Sequence, residues 1–234
     1  MIQIFDYVAA SWIAPPANSN GLNGYSRYSH TSTLTQDGSA VYLLGGWLLN
    51  LYNASDAHWL MNANEIWAYD MKSYQWKNIT ATSTSNVEAR WHHTAIAVPN
   101  TTWIILYGGY SMVGWSVIPL QSKNQTQTLM IYDWSDNSYK FPNLTNLYYG
   151  PPDSQENSGF LYTDPSTKKN YAVYFLGSRN PAVGNPLTSI LDISIPTQMT
   201  WILNGTSSSS SSSLSGGAIA GIAVGSIAGG VSDS

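Results

Sequence analysis

A spacing of 63 residues runs through this chain and confines it to folds assembled from repeated units. Arg27-Tyr28-Ser29-His30-Thr31 returns as Arg90-Trp91-His92-His93-Thr94. Tyr42-Leu43-Leu44-Gly45-Gly46 returns as Leu106-Tyr107-Gly108-Gly109, and Gly46 and Gly109 keep the interval. Glu65-Ile66-Trp67-Ala68-Tyr69-Asp70 returns as Leu129-Met130-Ile131-Tyr132-Asp133, again at the same shift. Self-similarity at a fixed period is the mark of a solenoid, a propeller or an array.

Two further copies are incomplete or altered. Tyr171-Ala172-Val173-Tyr174-Phe175-Leu176-Gly177 stands for the double-glycine strand with one glycine kept, Leu191-Asp192-Ile193 follows, and Trp201 takes the place of Trp76. Before the first full copy, Ile4-Phe5-Asp6 and Trp12 match Tyr69-Asp70 and Trp76, so the chain opens at the third strand of a unit. Each unit reads as four short strands, in the first copy 28–33, 40–44, 65–69 and 75–79, rich in aromatic and β-branched residues and bounded by Gly, Asn, Asp and Ser. Turn residues around Gly38 and at Pro99-Asn100 predict tight hairpins. The paired glycines predict a sharp turn that a side chain would obstruct. The recurring Trp predicts a large face wedged between neighbouring sheets, and Asp6, Asp70, Asp133 and Asp192, one per unit, predict caps on hairpin turns.

The order Arg-x-x-His-Thr, a strand ending Gly-Gly, aromatic-x-Tyr-Asp and then Trp resembles the kelch repeat. The resemblance covers about residues 1–204. It implies an all-β fold, a β-propeller in which each repeat is a four-stranded blade. The blades are then a half blade at 1–16 and full blades at about 25–80, 88–144 and 149–204. Three and a half blades fall short of the six or seven usual for such rings, so the expectation is a fragment of a longer propeller, or an open edge that pairs with another copy.

Residues 205–213 form a Ser-rich linker. From 214 to 231 no charge occurs, and Gly217, Gly221, Gly225 and Gly229 make a small-xxx-small ladder that suits two closely packed membrane helices. The expectation is a truncated transmembrane helix giving a single-pass anchor. Propeller, Ser-rich stalk and membrane segment together resemble fungal cell-surface kelch proteins.

Only 9% of the residues are charged, against about 25% in an average soluble domain, so something else must keep the surface hydrated. Six Asn-x-Ser/Thr sequons, at Asn53, Asn78, Asn100, Asn124, Asn143 and Asn204, offer N-linked sugars and with them an extracellular location. A net charge of −4 without a basic patch argues against nucleic acid as a partner.

The chemistry-bearing residues point away from catalysis. His30 and His93 share one repeat position and read as parts of the blade, while His58 is a lone loop histidine. No set of His and carboxylates has metal-ligand spacing. Galactose oxidase also uses kelch-like blades, but its copper site needs a tyrosine cross-linked to cysteine, and this chain has no cysteine. A sialidase-like cluster would need more arginines than Arg27, Arg90 and Arg179. The expectation is a binding module with no catalytic residue, metal or cofactor. Its connections between second and third strands are long and carry Trp47, Trp59 and Trp115, aromatic anchors for a protein or glycan at the cell surface. Self-association through the glycine ladder or an open propeller edge is a further expectation. The alternatives are the noncatalytic part of a larger secreted galactose-oxidase-like enzyme and a structural wall glycoprotein.

Overall fold

The computed structural model describes residues 4–14, 25–50, 58–60, 63, 65–82, 87–113, 116–119, 128–146, 158–175 and 188–202. The fold is all-β and propeller-like: three antiparallel meanders stand side by side, with smaller hairpins around them. The stalk at 205–213 and the apolar stretch at 214–231 lie outside the described residues. Among those described, no helix is long and apolar enough to cross a membrane.

The first hairpin is β1 (Ile4–Asp6) with β2 (Ser11–Ile13). Asp6 Oδ1 accepts hydrogen bonds from the Val8 and Ala9 amides, closing the turn. The first full meander runs β4 (Thr31–Leu34), β5 (Ala40–Leu44), β8 (Glu65–Asp70) and β9 (Gln75–Thr80). The second runs β10 (Thr94–Ala97), β11 (Trp103–Tyr107), β14 (Leu129–Asp133) and β15 (Ser138–Lys140). The third has five strands: β16 (Asn143–Thr145), β20 (Gln198–Ile202), β19 (Thr188–Asp192), β18 (Asn170–Phe175) and β17 (Ser158–Thr163), in that spatial order. The fifth member, β16, follows the second meander in sequence yet pairs in parallel with the last strand of the third, Asn143 to Gln198 and Thr145 to Thr200. Three residues carry no pattern that would reveal such a pairing.

The capping aspartates act as the repeat predicts. Asp70 Oδ1 takes the Lys72 and Ser73 amides, Asp133 Oδ1 the Ser135 amide, and Asp192 Oδ1 the Ser194 amide. A short polar side chain satisfies the turn amides that the strand ladder leaves free.

Two cores lie between the meanders. Tyr42, Leu44, Ile66 and Ala68 of the first pack against Ile104, Leu106, Met130 and Tyr132 of the second. The opposite face of the second, with Ile105, Tyr107 and Ile131, packs against Tyr174, Leu191, Met199 and Trp201 of the third. A sheet that buries both faces explains why every residue of β14 is buried and why its sequence lacks alternation. The predicted aromatic wedge holds at Trp201 in the second core, its ring 5.6 Å from Tyr107, but not at the other two positions: Trp12 is exposed, and Trp76 is half-buried with its ring against Tyr69 of its own sheet. In the second meander the wedge position falls to Tyr139, buried, with its hydroxyl donating to the Ala63 carbonyl at 2.7 Å.

Candidate binding face

The repeat builds one end of the first two meanders in the same way. Ser29 and His92, 63 residues apart, both have positive φ, 56° and 54°. The chain therefore bends sharply just before β4 and β10, and the residues before the bend leave the meander. This is why Tyr28, expected at the start of a blade strand, belongs instead to β3 (Tyr25–Tyr28).

The glycine pairs permit the next step. Gly45, Gly46, Gly108 and Gly109 all have positive φ, from 61° to 93°. A Cβ on Gly46 would sit 2.6 Å from the Tyr28 carbonyl oxygen, and one on Gly109 2.5 Å from that of Trp91. Only glycine allows both the φ and the close approach. Beyond the turn, β6 (Trp47–Asn50) pairs with β3 and with β7 (His58–Leu60), while β12 (Tyr110–Val113) pairs with β13 (Ser116–Pro119). The long connections are thus partly regular strands.

The two copies of this turn place four aromatics in a row. Tyr28 faces Trp47 in the β3–β6 register, and Trp91 bridges Tyr110 at the equivalent position. Trp47 meets Trp91 edge-on at 5.1 Å, and Trp91 stacks on Tyr110 at 5.6 Å with an interplanar angle of 21°. His92 lies edge-on to Tyr110 at 6.1 Å. Trp91 is buried, Trp47 and Tyr110 are half-buried, and Tyr28 and His92 are exposed. The row crosses the seam between the meanders and presents apolar ring surface with polar edges.

Below the row, the Arg-x-x-His motif stitches the seam. Arg27 Nη1 donates to the Leu43 carbonyl at 3.1 Å, and Arg90 Nη1 to the Gly108 and Thr128 carbonyls at 3.3 and 3.2 Å. Across the seam the Gly46 amide donates to the Arg90 carbonyl and the His92 amide to the Ser29 carbonyl. Burial pushes both guanidiniums down to about 10, opposed by Glu65 near Arg27 and by Tyr139 and Glu88 near Arg90. The His93 imidazole is held well below its ordinary value by burial, with Arg90 adding to the effect. One guanidinium nitrogen of each arginine is spent on backbone carbonyls, a structural role, while Arg27 Nη2 and the Nδ1 atoms of His30 and His93 are buried without a hydrogen-bond partner among the described residues.

Trp47 therefore belongs to an ordered aromatic row. Trp59 lies on β7 in register with Leu48, and Trp115 lies outside the described residues. His58 is also on β7. Trp91 and Tyr28 were not singled out from the sequence, although the shift of 63 that maps Trp47 onto Tyr110 also maps Tyr28 onto Trp91. Among the described residues no group of His, Asp and Glu could hold a metal ion. The sequon residues Asn78, Asn100 and Asn143 are exposed, and Asn53, Asn124 and Asn204 lie outside the described residues.

No family model matches the chain, and no curated protein matches it. Among solved structures it is similar to YjhT, at 9% identity over 85% of this chain and 74% of that one, with a TM-score of 0.39. A likeness at that level carries nothing about function.

Proposed function

We propose that the chain is the noncatalytic extracellular binding module of a cell-surface protein built on kelch repeats, and that it engages a protein or a glycan through the face bearing Trp47, Trp59 and Trp115. The row formed by Tyr28, Trp47, Trp91 and Tyr110 supports this reading most directly. Aromatic side chains held by strands lose little freedom on binding, and such residues dominate contact energetics. The apolar stretch at 214–231 would serve as a single-pass membrane anchor, with 205–213 as the stalk. The six sequons would carry the sugars of an extracellular protein.

The test is binding of the secreted full chain to immobilised glycans and to cell-wall and cell-surface extracts. Trp47→Ala, Trp59→Ala and Trp115→Ala should each weaken binding by about tenfold or more if they act as anchors. Binding that survives all three unchanged would sink the assignment of this face. Bound copper and peroxide production by the complete protein would instead favour the noncatalytic part of a larger oxidase.

A further inference from the structure

We propose that Asn78 and Asn143 are N-glycan acceptors whose sugars shield the outer edges of the first and third sheets from strand addition. The proposal rests on the extracellular reading above.

Each meander has an inner strand beside its neighbours' inner strands and an outer strand at the sheet's edge. The outer strands are β9, β15 and β16, each terminal in its sheet among the described residues. A terminal strand presents unpaired amides and carbonyls, a template for pairing with another chain, and proteins blunt such edges with charge, shortness or cover. The β15 and β16 edges are each three residues long, and β15 ends on Lys140, which pairs with Asp133 and Asp136. The β9 edge is twice as long and carries a single lysine in six residues, Lys77, which is ion-paired as Lys140 is, here to Asp70 at 2.7 Å. The β16 edge holds no charged residue at all.

These two less charged edges carry the sequons. Asn78 sits within β9, with Thr80 exposed beside it, and Asn143 opens β16. The third described acceptor, Asn100, sits in the β10–β11 turn with φ of 58°, on no edge. A branched, hydrated sugar rising from an outer strand occupies the corridor about 4.8 Å away that an added strand would need. In a chain with so few charges, sugar takes over the task that lysine performs elsewhere.

The experiment directs the full chain through the secretory pathway behind a foreign signal sequence and maps occupancy by glycopeptide mass spectrometry. Self-association is then followed by light scattering. Occupied Asn78 and Asn143 are expected, and Asn78→Gln with Asn143→Gln should raise the multimer fraction by roughly threefold or more. Asn100→Gln should lose its sugar and leave association unchanged. Trimming the folded protein with an endoglycosidase, which leaves one sugar on each Asn, should shift association in the same direction and does not depend on the variants folding. Empty sites on the secreted chain overturn the proposal. So does a rise in association after Asn100→Gln as large as that after the paired substitution, or no rise after the paired substitution and trimming. Sugars on the signal-directed chain but none on the natively expressed one would overturn the extracellular reading, and with it the native role of these sugars. Occupancy in both without any change in association would overturn edge shielding alone.

Discussion

Thr31 Oγ1 and His93 Nε2 share a hydrogen bond at 3.0 Å across the seam between the first two meanders. The residue after one Arg-x-x-His is thereby tied to the histidine of the next, so the motif joins units as well as shaping each one.

Burial of the histidines makes the seam sensitive to acid. Burial holds the folded-state value of His93 well below its ordinary 6.5, and His30 is lowered for the same reason. Between those lowered values and about 6.5 the unfolded chain binds more protons than the folded one, so stability present above pH 6.5 is lost as pH falls. The slope is at most about 1.4 kcal/mol per pH unit per histidine. Melting temperature followed from pH 7.5 to pH 5 should therefore decline, and more gently in His93→Gln, where His30 alone remains. An unaltered slope in that variant would contradict the assignment.

Glycine substitutions should separate backbone strain from steric overlap. Gly38 has φ of 70° and nothing within 4 Å of an added Cβ, so Gly38→Ala should cost about 1–2 kcal/mol from the left-handed conformation alone. Gly109→Ala adds contact with the Trp91 carbonyl and the His93 backbone. Its loss, read by urea unfolding, should exceed that of Gly38→Ala.

Asp133 is the most heavily engaged of the turn aspartates. It accepts from the Thr102 hydroxyl at 2.6 Å, from Trp103 Nε1 at 2.7 Å and from Lys140, and it is buried. Asp133→Asn should cost about 2–3 kcal/mol, since charge-assisted bonds are lost and a donor replaces an acceptor. Asp70 is paired with Lys77 at a more exposed site, so Asp70→Asn should cost less by the same denaturation measurement.

The aromatic row should divide by burial. Trp91→Ala removes a buried indole stacked on Tyr110 and should destabilise the chain by about 3–5 kcal/mol in chemical denaturation. Tyr28 is exposed, so Tyr28→Ala should leave the unfolding midpoint nearly unchanged and is the cleaner probe of binding.

Much of this was legible because repetition shows the same physical requirement twice. Gly46 and Gly109 announced a turn, and their φ and close carbonyls confirm it. Asp70 and Asp133 announced caps. Ser29 and His92 were harder, since neither residue type signals positive φ, and the bend moves Tyr28 out of the meander and into β3. The pairing of β16 with β20 was invisible, because Asn143–Thr145 is too short for a period and its partner is 55 residues on. Trp91 was hidden by its position: buried next to exposed His92, it reads as one more aromatic in a strand until the fold brings Trp47 against it.

The parallel arrangement of β16 and β20 has a mechanical meaning. The chain enters the third sheet at the start of β16 and leaves it at the end of β20, and the two strands lie side by side pointing the same way. Tension applied along the chain would pull them in opposite directions along their lengths. Every bond between them, with the link from Thr145 Oγ1 to Thr200 Oγ1 at 2.7 Å, would then be loaded together in shear instead of being peeled one at a time. Under a pull from its two ends, the third sheet would hold as a lap joint holds.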